Sequence, residues 1–265
     1  MMATSALEQT LRHDRLIVAI GIAVVVAFSW GYLLAGAGID MSMADMPMDP
    51  EPWSPAQAWL MFAMWWVMMI AMMVPSAAPT ILLFAAIKRR QATADSPVIS
   101  SWLFLAGYLV IWAGFSLVAV SVQWALEQSG LLSGMMASTS NLLAGIILLA
   151  AGLYQFTPIK RACLRYCQSP VFFLSRHWQP GAIGALRMGF RHGGYCVGCC
   201  WFLMALLFVV GVMNLAWVAA VAIYVGLEKL QARSPWLSRA VGVGLIVVGG
   251  AVLARGLIVT AAASL

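Results

Sequence analysis

Long apolar runs separated by short polar breaks dominate this chain. Seven runs stand out, at about 16–38, 57–87, 99–126, 137–158, 195–212, 215–230 and 236–260. A helix needs about 20 apolar residues to cross a bilayer, and most of the runs approach or pass that length. The fifth and sixth are parted only by Met213-Asn214-Leu215, so they read as a hairpin or as one interrupted unit. The first run is too long for a signal peptide and lacks a small-residue cleavage site. The pattern predicts an all-α, polytopic transmembrane helix bundle of about seven spans, with no long internal repeat and no soluble domain. The largest break, 159–193, has room for a short amphipathic helix at the interface. Phe172, Phe173, Leu174 and Trp178 would then face lipid, and Arg176 the headgroups.

Composition agrees with the pattern. The chain is 63% hydrophobic and 9% charged over 265 residues; a soluble domain would carry about a quarter charged residues. The positive charges set an orientation. Arg12 and Arg15 lie in the tail 1–15, and Lys88, Arg89 and Arg90 follow the second run. Lys160, Arg161, Arg165, Arg176, Arg187 and Arg191 lie in 159–193, which has no acid, and Lys229, Arg233 and Arg239 precede the last run. Of the basic residues, Arg255 alone falls elsewhere. Asp40, Asp45, Asp49 and Glu51 share the loop 39–56. This alternation predicts a multi-pass inner-membrane protein with a cytoplasmic N-terminus. It also excludes nucleic acid as a partner, because the basic residues flank spans and form no stripe.

The cysteines carry the candidate chemistry. Cys163 and Cys167 are four apart, and Cys196, Cys199 and Cys200 stand at i, i+3 and i+4, so each set shares one face of a helix. The first pair does so if span four continues helically past Pro158. Both sets fall at the cytoplasmic end of spans, where thiols stay reduced, and the odd count argues against structural disulfides. Together they could supply three or four thiolates to Cu(I) or Zn(II), with Gly193, Gly194 and Gly198 leaving space for a backbone or an ion. His192 and Glu228 are additional candidate ligands at the same depth. The plainer reading is that cysteine packs well as a small apolar residue in buried helices.

Methionines form a second series. Met41, Met43, Met46 and Met48 sit among acids and prolines in the first loop, which cannot pack a core. Met61, Met64, Met68 and Met72 make one helical stripe in the second span, flanked by Met69 and Met73. Thioethers are soft, neutral ligands that favour Cu(I) over Zn(II). A methionine stripe alone is more often packing, but this one starts beside the outer loop and runs inward. Pro75 and Pro79 should kink the span, with Ser76 or Thr80 serving the freed carbonyls. Span seven carries Gly242, Gly244, Gly249 and Gly250, small enough for close helix contact. The sequence has no Walker loop, no phosphorylatable Asp motif and no pair of intramembrane histidines for haem, so no catalytic residue is assigned and an ATP-driven pump is excluded.

Three segments together resemble a known family. They are Met64-Trp-Trp-Val-Met68-Met69-Ile-Ala-Met72-Met73-Val-Pro75-Ser76; Tyr154-Gln-Phe-Thr-Pro158 with Lys160-Arg-Ala-Cys163-Leu-Arg-Tyr-Cys167; and Gly193-Gly-Tyr195-Cys196-Val-Gly198-Cys199-Cys200-Trp201 with Met204. Met213 to Trp217 and Glu228-Lys229 follow. Over about 57–230 the chain resembles the predicted metal-binding integral membrane proteins that carry domain of unknown function 2182. The resemblance implies a polytopic membrane protein whose Met and Cys motifs bind metal, and it implies no particular activity, metal or substrate.

The expected function is capture, transfer or delivery of a soft metal, Cu(I) ahead of zinc, from the outer methionines along the stripe to the inner thiols. The expected partners are the lipid bilayer, the metal, and a metallochaperone or a membrane metalloenzyme. Two alternatives remain. One is a membrane thiol–disulfide protein using Cys196 and Cys199; the other is a non-catalytic assembly subunit in which these motifs are packing.

Overall fold

A computed structural model of the chain describes residues 2–37, 53–91, 96–132, 136–231 and 235–263, with side chains placed from 15 to 258. Apart from one bridge between Leu132 and Ser138, regular structure among the described residues is helical. The helices are α1 (Met2–Leu34), α2 (Pro55–Arg90), α3 (Pro97–Gln128), α4 (Asn141–Tyr154), α5 (Pro158–Gln168), α6 (Pro170–His177), α7 (Gly181–Ala205), α8 (Leu207–Val210), α9 (Leu215–Leu230) and α10 (Trp236–Ala263). Four of them begin with a Ser-Pro or Thr-Pro pair: Ser54-Pro55, Ser96-Pro97, Thr157-Pro158 and Ser169-Pro170. Proline at the first helical position loses nothing, because that N–H has no intrahelical partner. The preceding hydroxyl caps the next turn at Ser54, Thr157 and Ser169.

Five helices are long and apolar enough to cross a membrane: Arg15–Leu34, Pro55–Arg90, Pro97–Gln128, Gly181–Val210 and Trp236–Ile258. The chain thus has the make-up of a multi-pass membrane protein. A sixth span results if α4 and α5 count as one unit bent by 67°. The chain is helical again past Pro158, as a shared face for Cys163 and Cys167 requires, but in a new direction. Thr157 and Pro158 start a new helix, and α5 with Cys163 and Cys167 turns away from the line of α4. The helix expected from 195 begins earlier, at Gly181, so part of the basic segment belongs to it. α9 has 16 residues, a rise of about 24 Å against an apolar core of about 30 Å.

Glycines decide which helices come closest. A side chain on Gly107 would strike the Leu186 carbonyl, and one on Gly189 the Phe104 carbonyl, so α3 and α7 meet backbone to backbone. Gly145 and Gly152 of α4 face Gly249 and Gly242 of α10 in the same way, while Gly244 and Gly250 meet nothing within 4 Å. The heptad spacing is what brings those glycines to one face. α2 lies against α1, α3 and α9 and runs on as one helix through Pro75 and Pro79. Ser76 donates to the Met73 carbonyl at 2.7 Å and not to those of Ala71 and Pro75, which the prolines leave without a helical donor.

The short helix α6 differs from expectation. Phe173 and Leu174 are buried in the protein and do not face lipid. Trp178 packs against Phe84 of α2 with its ring tilted by 38°. Phe172 takes the guanidinium groups of Arg165 and Arg176 over its ring, at 4.3 and 4.8 Å. An aromatic face that has a protein groove available packs there, since van der Waals contact is denser than against lipid.

Candidate metal centre

The close approach of α3 and α7 sets the site. Cys196, Cys199 and Cys200 project from one face of α7 and are each 0% exposed. α5 brings Cys167, also buried, so that its sulfur lies 4.0 Å from that of Cys199. α2 brings Met73, whose thioether lies 4.0 Å from the Cys200 sulfur. The thiols of Cys199 and Cys200 donate to the Cys196 carbonyl at 3.1 and 2.9 Å. Cys163 is only half-buried and packs over Gly198, where an added side chain would come within 2.8 Å of its sulfur. All five cysteines are free thiols.

A metal–thiolate bond of about 2.3 Å lets two sulfurs on one ion stand at most about 4.6 Å apart. The Cys167–Cys199 and Cys200–Met73 separations both meet that limit. Among the described residues, however, no three His, Cys, Asp or Glu side chains are arranged to hold a metal. The expected three- or four-thiolate cage is therefore absent as such, and the sulfurs come as two neighbouring pairs. Paired sulfurs suit a soft ion of low coordination number; Zn(II) asks for four ligands in a tetrahedron.

Of the two additional candidate ligands, Glu228 is engaged elsewhere. Glu228 forms a buried ion pair with Lys160 at 2.7 Å and accepts from Tyr224 at 3.1 Å and from Ser238 at 2.6 Å. Lys160 also donates to Gln155. The carboxylate is fully engaged by these partners. His192 lies one turn before Cys196, between the rings of Phe104, Tyr108 and Phe173, and its buried Nδ1 has no hydrogen-bond partner.

Sequence reasoning passed over the strongest polar partner of the thiols. Lys229 is buried, and its ammonium donates to Ser76 Oγ at 2.7 Å and to Cys196 Sγ at 3.0 Å. Tyr108 OH lies 3.1 Å from the same sulfur and 3.2 Å from the Met73 carbonyl. A buried ammonium is costly unless partnered, and Ser76 and Cys196 are the partners these contacts supply. Met72, Pro75, Ser76, Cys167, Gly226 and Lys229 line a cavity of ≈ 400 Å³ against this side of the site.

The methionine stripe is buried along its length: Met61, Met64, Met68, Met69, Met72 and Met73 all belong to the core. Its far end meets a polar node. Gln123 donates to Met61 Sδ at 3.7 Å and to Glu127 at 2.8 Å, and accepts from Trp65 at 2.6 Å. Trp53 donates to Glu127 at 2.9 Å. Met61 to Met73 spans about 18 Å along the helix axis. Met41, Met43, Met46 and Met48 lie outside the described residues.

A family model described as PpoB2: Copper chaperone matches residues 62–252. The chain belongs to this copper chaperone family. The matched stretch contains Met64, Met68, Met72, Met73, all five cysteines and Lys229, while Met61 and the loop methionines precede it. No curated protein matches the chain, and neither does any solved structure.

Proposed function

We propose that this protein is an inner-membrane copper chaperone that takes Cu(I) along the methionines of α2 and holds it at the thiols of α5 and α7. Cu(I) is cargo. The direction runs from Met41, Met43, Met46 and Met48 outside, through Met61, Met64, Met68 and Met72, to Cys167, Cys196, Cys199 and Cys200 midway along the spans, with the half-buried Cys163 as the exit ligand toward the cytoplasm. The receiver is a soluble metallochaperone or a membrane metalloenzyme. The N-terminus is cytoplasmic and α9 completes a seven-span arrangement, a reading supported by the distribution of positive charges.

The observation that carries the reading is the meeting of Met73 with Cys200 at 4.0 Å, where the buried stripe ends on the thiols. Thioethers bind Cu(I) exchangeably and thiolates bind it more tightly, so handing the ion from one to the other is downhill. Charge favours Cu(I) as well. One Cu(I), two thiolates and the Lys229 ammonium leave no net charge in a low-dielectric interior, whereas Zn(II) would leave a positive one. The thiol–disulfide alternative fares worse, because exchange needs an accessible sulfur and Cys196 and Cys199 are sealed from solvent.

Transfer between faces tests the proposal. Proteoliposomes receive Cu(I) outside, with a soft Cu(I) chelator enclosed. Wild type should fill the chelator, Met64→Leu/Met68→Leu/Met72→Leu should do so at least tenfold more slowly, and Cys199→Ser/Cys200→Ser should stop delivery. Filling no faster than protein-free vesicles contradicts transfer.

A further inference from the structure

A second cavity lies away from the thiols, at the elbow between α4 and α5. It measures ≈ 260 Å³ and is lined by Gln155, Lys160, Arg161, Gln231, Ser238 and Arg239, among others. A water molecule's share of liquid volume is about 30 Å³, so the space takes a headgroup-sized group. Its lining is basic. Lys160 is neutralised by Glu228 at 2.7 Å, which leaves the exposed Arg161 and Arg239 to set the sign. The first turn of α10 reaches the cavity through Ser238 and Arg239, and a helix N-terminus adds partial positive charge.

Two orphaned atoms point to what is bound. Gln155 is 3% exposed, and its Nε2 is buried with no partner, while its Oε1 is fixed as the acceptor from Lys160. Gln231 Oε1 is likewise buried and without a partner. Leaving such groups unpaired costs about 1–3 kcal/mol each. Two of them in the lining of one basic cavity call for a ligand that accepts from Gln155, donates to Gln231 and carries negative charge for the arginines. Chloride or sulfate offers no donor. A phosphate bearing a hydroxyl or an amine offers all three features.

We propose that this elbow cavity binds a phosphate group carrying a hydroxyl or amine donor, either in a phospholipid headgroup or as free phosphate. The site is independent of copper, and none of the thiols lines it. Arginine suits the role because its planar fork bonds phosphate oxygens in pairs. Bound there, the headgroup would clamp α5 to the start of α10 and fix the elbow that presents Cys167.

Native mass spectrometry of the full chain from detergent, with phosphatidylglycerol, phosphatidylethanolamine or phosphatidylcholine added singly, tests the lipid source. Calorimetric titration with inorganic phosphate tests the free one. The comparison is wild type against Arg161→Ala/Arg239→Ala, with Arg176→Ala/Arg187→Ala as a charge-matched control outside the cavity. Retention of a donor-bearing lipid that falls at least tenfold in the double variant supports a headgroup site. Saturable phosphate binding lost in the same variant supports the free ion. Equal retention in wild type and double variant, without saturable phosphate binding, overturns the site. Phosphatidylcholine held as tightly as phosphatidylglycerol overturns the donor requirement drawn from Gln231. An unchanged helical circular-dichroism signal and monodisperse elution of the double variant show that it is folded, so loss of binding is not loss of structure.

Discussion

At the scale of single residues, two substitutions separate metal binding from packing. Met73→Leu keeps the volume of the side chain and removes the sulfur that faces Cys200 at 4.0 Å. Volume-conserving swaps cost less than about 1.5 kcal/mol of stability. Competition against a Cu(I) chelator should nevertheless show affinity down about tenfold, a difference of about 1.4 kcal/mol. Unchanged affinity would make Met73 a packing residue. The Lys160–Glu228 pair gives the structural counterpart. Lys160→Met strands a buried carboxylate and should destabilise by about 3–5 kcal/mol, read as a lower unfolding midpoint in detergent. Adding Glu228→Gln should recover part of that loss. The sequence placed Glu228 beside the thiols and treated Lys229 as one more charge at a span end; their roles are reversed, with Glu228 engaged by Lys160 and Lys229 on Cys196. Helical spacing tells which residues share a face, and it cannot tell which neighbouring helix that face meets.

Among the elements, glycine positions govern how the site is assembled. Gly189 lets the backbone of α7 lie against the Phe104 carbonyl of α3, and this contact holds Cys196 beside Tyr108. Gly189→Ala should part the two helices and lose both Cu(I) loading and thermal stability. On α10 the prediction discriminates: Gly249→Ala meets Leu148 and Leu149 within 2.9 Å and should destabilise, while Gly244→Ala meets nothing within 4 Å and should leave the unfolding midpoint unchanged. Equal effects would contradict the packing of α4 on α10. The helical runs and the facing of each cysteine set were legible in the sequence. The bend at Pro158 was legible too, in the repeated Ser/Thr-Pro start, but it was read as the end of a span and not as the cap of a new helix. The burial of Phe173 and Leu174 was not legible, because an apolar face reads the same whether lipid or protein covers it.

For the whole molecule, topology and copper handling are one question. The account puts Asn214, the cap of α9, on the outer side; a reporter fused there should give a periplasmic signal, and a cytoplasmic signal would reverse the path of α9. The central claim is that buried thiols from two helices hold Cu(I) next to a methionine path. Its most direct test is the metal content of the purified full chain in detergent, loaded with Cu(I) under reducing, anaerobic conditions, beside a variant with all five cysteines changed to serine. The account predicts stoichiometric copper in the wild type and none in the variant. Equal copper in both, or none in either, would contradict it.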